Sequence, residues 1–205
     1  MGYYRAGFDV VGVDINPQPN YPFEFHQRDA LEFVRRFEET WLGTRAEFDA
    51  IHASPPCQAY STITPDRSKH PDLVAPVREL LQATGLPYII ENVVGAPLQT
   101  GFVLCGSMFG LKVRRHRLFE SNRLIMPPVC DHASQGEPVG VYGRGGGTSV
   151  TRPNGTSRGV KAKPSEFADL MGMPWATPKE IVQAIPPAYT EFIGTQLMAN
   201  LKVKS

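Results

Sequence analysis

The sequence predicts an α/β protein with a doubly wound, Rossmann-like sheet of parallel type. Three β-branched, apolar segments each end in a polar or reactive residue, and segments with helical periodicity separate them. The chain has 205 residues, 41% hydrophobic and 20% charged, which favours one main domain with an ordinary globular core. No apolar run approaches the roughly 20 residues of a spanning helix, so no membrane partner is expected.

The predicted strands cover residues 8–14, 48–53 and 87–92. The first ends at Asp14, the second runs into two prolines and Cys57, and the third ends in Glu91 and Asn92. Ligands of open α/β sheets bind beyond the carboxyl ends of the strands. We therefore expect Asp14, Cys57 and Glu91 to converge, although Asp14 alone is also compatible with a turn or capping aspartate.

Helical periodicity predicts helices over residues 29–37, 71–84, 165–171 and 189–201. Ser165 is the predicted N-cap of the third. Asp29, just before the first, is compatible with a simple helix cap as well as with a binding role.

Residues 121–163 break the periodic pattern with Gly, Pro, Ser, Thr and basic residues. Residues 111–163 carry ten basic and three acidic side chains, whereas residues 1–50 carry five basic and nine acidic ones. The later segment is thus the candidate phosphate-facing surface, and a solvated basic face is the alternative. We predict a main domain of residues 1–120 and 164–205 that carries a short irregular insertion, 121–163.

The three cysteines, Cys57, Cys105 and Cys130, are widely spaced and odd in number. This pattern argues against a disulfide framework and for a reducing, cytoplasmic location. Cys130 and His132 are two potential zinc ligands without a second pair, so no metal site is predicted. A single cysteine such as Cys57 is often only a small buried side chain, and its neighbours must decide whether it reacts.

Three short motifs follow one another in the order Pro-Cys-Gln (56–58), Glu-Asn-Val (91–93) and Arg-x-Arg (115–117). Gly-Val-Asp-Ile (12–15) precedes them, and Ala-Ile-Pro-Pro-Ala-Tyr (184–189) follows. This ordered series resembles that of the DNA cytosine-C5 methyltransferases over nearly the whole chain. The resemblance implies S-adenosylmethionine as methyl donor and double-stranded DNA as partner, with no obligate protein partner.

The resemblance also implies the catalytic roles. Cys57 matches the nucleophile that adds to C6 of cytosine, and Glu91 matches the carboxyl that protonates or hydrogen-bonds N3. Arg117 matches the residue that holds the base carbonyl, and Arg115 one that supports the nucleophile loop. Plain phosphate contacts are the alternative for the two arginines.

Further residues match cofactor and DNA positions. The implied cofactor-binding residues are Asp14, Ile15, Asp29, Ala30, Pro56, Gln183 and Ala184. The predicted DNA-binding residues, expected to contact mostly phosphate, are Gln58, Ser61, Arg144, Arg152, Arg158, Lys161 and Lys163.

The sequence departs from the family pattern in its cofactor motifs. The Phe-x-Gly-x-Gly turn is absent, so the sheet is expected to lack its first strand and the chain to begin inside the first helix, near residues 2–7. Gln183 stands where Asn is usual, and Arg114 where Gln often precedes the Arg-x-Arg pair. Two alternatives follow: a methyltransferase homologue that binds DNA without turnover, and an enzyme that acts on tRNA with the same residues.

Overall fold

The computed structural model describes residues 1–36, 48–62, 64–141, 150–151, 157–158 and 160–202. The α-helices are α1 (Gly2–Arg5), α2 (Ala30–Arg35), α3 (Val74–Thr84), α4 (His132–Gln135), α5 (Phe167–Met171), α6 (Pro178–Ile181) and α7 (Pro187–Lys202). The β-strands are β1 (Val11–Asp14), β2 (Glu24–Gln27), β3 (Ile51–Ala53), β4 (Tyr88–Asn92), β5 (Phe102–Leu104), β6 (Arg117–Ser121), β7 (Val139–Gly140), β8 (Val150–Thr151), β9 (Ser157–Arg158) and β10 (Val160–Lys161). These elements confirm the α/β class.

The principal sheet has four strands in the order β3-β4-β6-β5. β3 and β4 are parallel, so their carboxyl ends lie at the same edge of the sheet. β6 runs antiparallel to both β4 and β5. β1 and β2 form a separate parallel pair, and in the described part of the chain neither of them pairs with β3.

The sheet is therefore mixed, which corrects the prediction of a parallel type. β3 reaches β4 through α3, and such a helical crossover allows parallel pairing. The link from β5 to β6 contains only one turn of 3-10 helix, Gly106–Phe109, so the chain reverses direction. Phe102–Leu104 is too short to give a periodic signal in the sequence.

The two faces of β4 are covered by different helices. Tyr88 and Ile90 pack with Val77 and Leu81 of α3 on one face. Ile89 packs on the other face, in a cluster with residues of β5, β6 and α7. That cluster comprises Ile89, Leu104, Phe119, Ile125, Tyr189, Ile193 and Leu197. Because strand side chains alternate between faces, Glu91 follows Ile89 on the α7 side.

A further apolar cluster joins two residues of the predicted insertion to α5 and α6. Its buried members are Val113, Val141, Ala162, Phe167, Met171, Met173 and Ile181. Val141 and Ala162 lie on one side of the predicted boundary at residues 163 and 164, and the helical residues lie on the other. The division into a domain and an insertion stays a prediction.

The helix boundaries refine the sequence-based ones. α3 begins at Val74 rather than near residue 71. Ser165 lies inside a 3-10 turn, Pro164–Glu166, so it is not the predicted N-cap. Instead, Glu166 Oε2 accepts a hydrogen bond from the backbone N–H of Lys163 at 2.6 Å, which closes the turn before α5 begins.

The N-terminal helix α1 is packed tightly against α7. A Cβ atom on Gly2 would lie 2.1 Å from Oγ1 of Thr190 and 2.2 Å from the carbonyl oxygen of Pro187, so only glycine allows this approach. None of the helices formed by the described residues has the length and hydropathy that a membrane crossing needs.

Candidate active site

The end of β4 and the start of β6 bring Glu91 and Arg117 together. Nε of Arg117 lies 3.1 Å from Oε1 of Glu91, and only 16% and 11% of the two side chains are exposed. NH1 of Arg117 also donates to the carbonyl oxygen of His116 at 2.9 Å. Two of the four predicted catalytic residues thus form a largely buried ion pair.

The pKa of Glu91 is raised above its ordinary value. Burial is the main cause, and the charge of Arg117, a hydrogen bond with Ser54 and the charge of Arg115 oppose it. Burial favours the neutral form of a carboxyl group. Glu91 can therefore hold a proton at a pH at which an exposed glutamate would have lost it.

The loop after β3 carries Cys57 and contacts the end of β4. Nδ2 of Asn92 donates to the carbonyl oxygen of Pro55 at 2.9 Å, and Pro55 is buried. The carbonyl oxygen of Cys57 accepts hydrogen bonds from the backbone of Tyr60 at 3.0 Å and of Ser61 at 2.9 Å. The loop is thus fixed on both sides of Cys57, whose side chain is half-buried and free of disulfide bonds.

Arg115 is almost fully buried, with 3% exposed, and its backbone has a positive φ of 39°. Its guanidinium donates to the carbonyl oxygens of Val141 at 3.0 Å and of Val182 at 2.6 Å. These contacts join Val141, near the middle of the predicted insertion, to the segment before Gln183. Support of the nucleophile loop by Arg115 stays a prediction.

A chain of hydrogen bonds that the sequence analysis missed reaches the site from α1. The hydroxyl of Tyr3 lies 2.7 Å from Nδ1 of His52, and Nε2 of His52 lies 3.1 Å from Oγ of Ser54. Ser54 in turn hydrogen-bonds Glu91. Burial lowers the pKa of His52 to about 4, so the ring is neutral near pH 7. In the sequence, these hydrogen bonds were indicated only by the position of His52 in a predicted strand, two residues before Ser54.

The end of β1 presents an acid beside an apolar side chain. Asp14 is half-buried, and its Oδ1 accepts hydrogen bonds from the backbone and the side chain of Asn16 at 2.7 and 3.3 Å. The neighbouring Ile15 is 64% exposed. A carboxylate that accepts from ribose hydroxyls, next to an apolar surface for the base, fits the nucleoside half of S-adenosylmethionine.

The other predicted cofactor residues lie at accessible positions. Asp29 caps α2, because its Oδ1 accepts from the backbone N–H of Glu32 at 2.9 Å, and Ala30 begins that helix. Asp29 also lines a shallow surface depression with Arg28, Glu32, Phe33 and Arg36. Its capping role is therefore observed, and its cofactor role stays a prediction.

Gln183 is exposed and Ala184 half-buried, just after α6. The loop after β1 approaches this segment, since Nδ2 of Asn20 donates to Oε1 of Glu180 at 3.1 Å. The backbone N–H of Ala184 donates to the carbonyl oxygen of Glu180 at 3.1 Å. Pro56, the remaining predicted cofactor residue, is exposed beside Cys57.

The predicted DNA-binding residues are described only in part. Gln58 is exposed and Ser61 half-buried in the turn after Cys57, and Lys163 is exposed. Arg158 and Lys161 lie in β9 and β10, where only the backbone is described. Arg144 and Arg152 lie outside the described residues.

Comparisons with known proteins relate the chain to others through structure. No protein-family model matches the sequence, and no curated protein matches it. A crystal structure of an E. coli protein assigned as a DNA modification methyltransferase encoded within a prophage matches with a TM-score of 0.60 and 17% identity. The match covers 98% of this chain and 95% of that one.

A mutant of Spodoptera frugiperda DNMT2 matches with a TM-score of 0.41 and 21% identity, over 69% of this chain and 55% of that one. That likeness is too distant to support an inference. The likeness to the prophage-encoded protein is extensive over both chains. The chain thus has the fold of a methyltransferase.

Proposed function

We propose that the chain transfers a methyl group from S-adenosylmethionine to C5 of cytosine in DNA, with Cys57 as the nucleophile. The observation that supports this proposal most directly is the pairing of Glu91 and Arg117 beside the Cys57 loop. A proton-holding carboxyl, a guanidinium and a half-buried thiol are the groups that activation of a pyrimidine needs.

In the proposed reaction, Sγ of the Cys57 thiolate adds to C6 of the base. The C5–C6 π pair shifts to C4–C5 and the C4–N3 pair shifts to N3, which takes the proton of Glu91. Arg117 donates a hydrogen bond to the carbonyl oxygen of the ring and keeps it in place. C5 is now enamine-like and nucleophilic. As C5 takes the methyl group, the C4–N3 double bond re-forms and N3 returns its proton to Glu91. A base then removes the C5 proton, the C5–C6 double bond re-forms and the S–C6 bond breaks to release the Cys57 thiolate.

S-adenosylmethionine, when bound, supplies the electrophilic methyl group. Asp14 would accept hydrogen bonds from its ribose and Ile15 would cover one face of its adenine. The other proposed cofactor residues are Asp29, Ala30, Pro56, Gln183 and Ala184. Asn20 and Glu180 hold the loop after β1 near the segment that contains Gln183 and Ala184.

The target base must leave the duplex to reach Cys57, because a stacked cytosine hides C6; this extrusion costs a few kcal/mol. We propose that the basic segment of residues 121–163, with Gln58 and Ser61 beside the nucleophile, holds the DNA. Its contacts would be mostly to phosphate, so binding should weaken steeply as the salt concentration rises.

The test uses the purified chain, S-adenosylmethionine with a labelled methyl group, and duplex DNA in which 5-fluorocytosine replaces cytosine. The fluorine cannot leave as a proton does, so an active enzyme should be trapped as a covalent adduct at Cys57. Cys57→Ser should give no adduct and no methylation while it still binds DNA. An adduct at any other residue would overturn the mechanism.

Two further arms separate the alternatives. Methylation of tRNA without methylation of DNA would overturn the proposed substrate. Retained DNA binding without saturable heat on titration with S-adenosylhomocysteine would indicate a homologue that binds DNA without turnover.

A further inference from the structure

Four potential metal ligands outside the proposed active site converge near the start of β6. They are Cys105, His116, Cys130 and His132, and their ligand atoms all lie within 4.8 Å of one another. Cys105 is buried and the other three are half-buried. No metal site was predicted from the sequence, in which only Cys130 and His132 lie close together, and the fold supplies the second pair.

The three sulfur–nitrogen distances within the group are 2.8, 3.3 and 3.7 Å, of which two are close to the edge of a tetrahedron of ligands and one is shorter. Nε2 of His132 lies 2.8 Å from Sγ of Cys130 and 3.3 Å from Sγ of Cys105. Nε2 of His116 lies 3.7 Å from Sγ of Cys130. In a tetrahedral zinc site, bond lengths of about 2.3 Å to sulfur and about 2.0–2.1 Å to nitrogen give sulfur–nitrogen separations of about 3.5 Å.

The local backbone explains how residues so far apart in sequence meet. The N–H of Gly106 donates to the carbonyl oxygen of Arg114 at 2.7 Å, which closes the loop between Cys105 and His116. A Cβ atom on Gly106 would lie 1.8 Å from the carbonyl oxygen of Val113, so this approach requires glycine. The fold of this loop therefore holds Cys105, just after β5, and His116, just before β6.

The second pair is held against the same loop by α4. Nε2 of Gln135 donates to the carbonyl oxygens of Leu111 at 2.7 Å and of Val113 at 3.1 Å. Asp131 caps α4 by accepting from the backbone N–H of Ser134 at 3.1 Å. A four-residue helix is too short to be stable alone, so additional links to the fold are needed here.

We propose that Cys105, His116, Cys130 and His132 bind one zinc ion in a closed, structural site. Two thiolates and two neutral imidazoles balance the charge of the ion, and four protein ligands leave no open position for catalysis. Oγ of Ser107, 3.3 Å from Sγ of Cys105 and 3.4 Å from Sγ of Cys130, is placed to donate its one proton to either thiolate and orient it.

Such an ion would link β5, β6 and α4 at the residue before Arg117. Its bond to His116 would fix the backbone from which Arg117 reaches Glu91. The same ion would anchor the first part of the segment 121–163. The inference depends on the four ligands alone and does not require the proposed methyltransferase activity.

The test is the metal content of the full chain, purified without chelators, together with X-ray absorption at the zinc edge. We expect about one zinc per chain, with two sulfur neighbours at about 2.3 Å and two nitrogen neighbours at about 2.0–2.1 Å. Cys130→Ser and His132→Ala should lose most of the zinc. His132→Cys should retain it with a third sulfur, and Cys57→Ser, which removes a cysteine outside the group, should retain all of it.

If a variant fails to fold, the X-ray absorption spectrum of the unaltered chain still tests the proposed zinc site. Replacement of the zinc in that chain by cobalt should produce the visible spectrum of a tetrahedral site, with sulfur-to-cobalt charge-transfer bands. Folded chain that contains no zinc and takes up none on titration would overturn the inference. So would a disulfide between Cys105 and Cys130, or unchanged zinc content in Cys130→Ser.

Discussion

Arg117 pairs with Glu91 across two antiparallel strands, with 3.1 Å between Nε and Oε1 and little of either side chain exposed. Even so, the pKa of Glu91 is raised, because burial outweighs the favourable charge of Arg117. The carboxyl therefore has two accessible states: an ion-paired carboxylate and a neutral acid. A group that moves a proton to and from a base in mid-reaction needs both states.

Replacement of Arg117 should alter the titration of Glu91. In Arg117→Ala, burial is no longer opposed by the adjacent positive charge, so the pKa of Glu91 should rise further. Rates of adduct formation with 5-fluorocytosine DNA, measured against pH, should show their alkaline decline at a higher pH and with a lower maximum. Arg5→Ala, which removes an exposed arginine on α1 that pairs with Glu191 and has no proposed role in the reaction, is the control. An unshifted decline in Arg117→Ala would contradict the assignment.

Glu91→Gln should slow adduct formation by roughly 10²–10⁴-fold, the usual contribution of a general acid or base. The amide keeps the shape of the side chain but has no proton to give to N3. The direction of the pH dependence follows from the raised pKa of Glu91, because the acid form is present below that pKa and is lost as the pH rises through it. The alkaline decline due to Glu91 should therefore disappear from the residual rate of the variant.

Glu79→Gln is the matched control, because Glu79 is an exposed glutamate on α3. Its adduct rate and pH profile should equal those of the unaltered chain. A Glu91→Gln variant that retained both the full rate and the full alkaline decline would remove Glu91 from the mechanism.

A second arginine–glutamate pair on the same sheet shows different electrostatics. Arg78 of α3 donates from both Nε and NH2 to the carboxylate of Glu120 at 2.7 Å, and Glu120 is 2% exposed. Burial raises the pKa of Glu120, but hydrogen bonds from Arg78 and from the backbone of Gln99 outweigh it and hold the pKa low. Glu120 thus stays charged, whereas Glu91 can become neutral.

Arg78→Met should accordingly destabilise the chain by about 3–5 kcal/mol, because it leaves a buried carboxylate without its partner. Urea unfolding at neutral pH measures the loss. The double variant Arg78→Met with Glu120→Gln should be more stable than the single one, since no unpaired charge remains. Equal stability of the two variants would show that Glu120 is not charged in the fold.

The sequence predicted those parts of the site that are carried by local motifs at the ends of strands. β3 and β4 were recognisable because their apolar runs end in Cys57 and Glu91, and these ends do lie at one edge. β5 and β6 were not predicted, because β5 has only three residues and β6 has two adjacent apolar residues between polar ones rather than an alternating pattern. Without them the antiparallel pairing that sets Arg117 against Glu91 could not be derived.

The group of four proposed zinc ligands was not predicted from the sequence, for a related reason. Cys105 and His116 come together only because the loop that begins at Gly106 folds back on Arg114. Neither residue is near Cys130 in sequence. Contacts of this kind depend on the tertiary path of the chain, and no local spacing encodes them.

The chain should lose stability as the pH falls because of His52. Its folded pKa is about 4, whereas an unfolded histidine titrates near 6.5. Between these values the unfolded chain binds the proton more readily than the folded chain. The contribution of His52 to the free energy of unfolding is therefore fully present above about pH 6.5 and is lost as the pH falls toward 4. The full difference corresponds to about 3 kcal/mol, and partial exposure of His52 should reduce it.

Urea unfolding of the unaltered chain and of His52→Gln from pH 7 to pH 4.5 measures this contribution. It is the difference between the slopes of the free energy of unfolding against pH. His70→Gln, which removes an exposed histidine, should keep the slope of the unaltered chain. If His52→Gln kept it as well, the ring between Tyr3 and Ser54 would have to be accessible to protons in the folded chain.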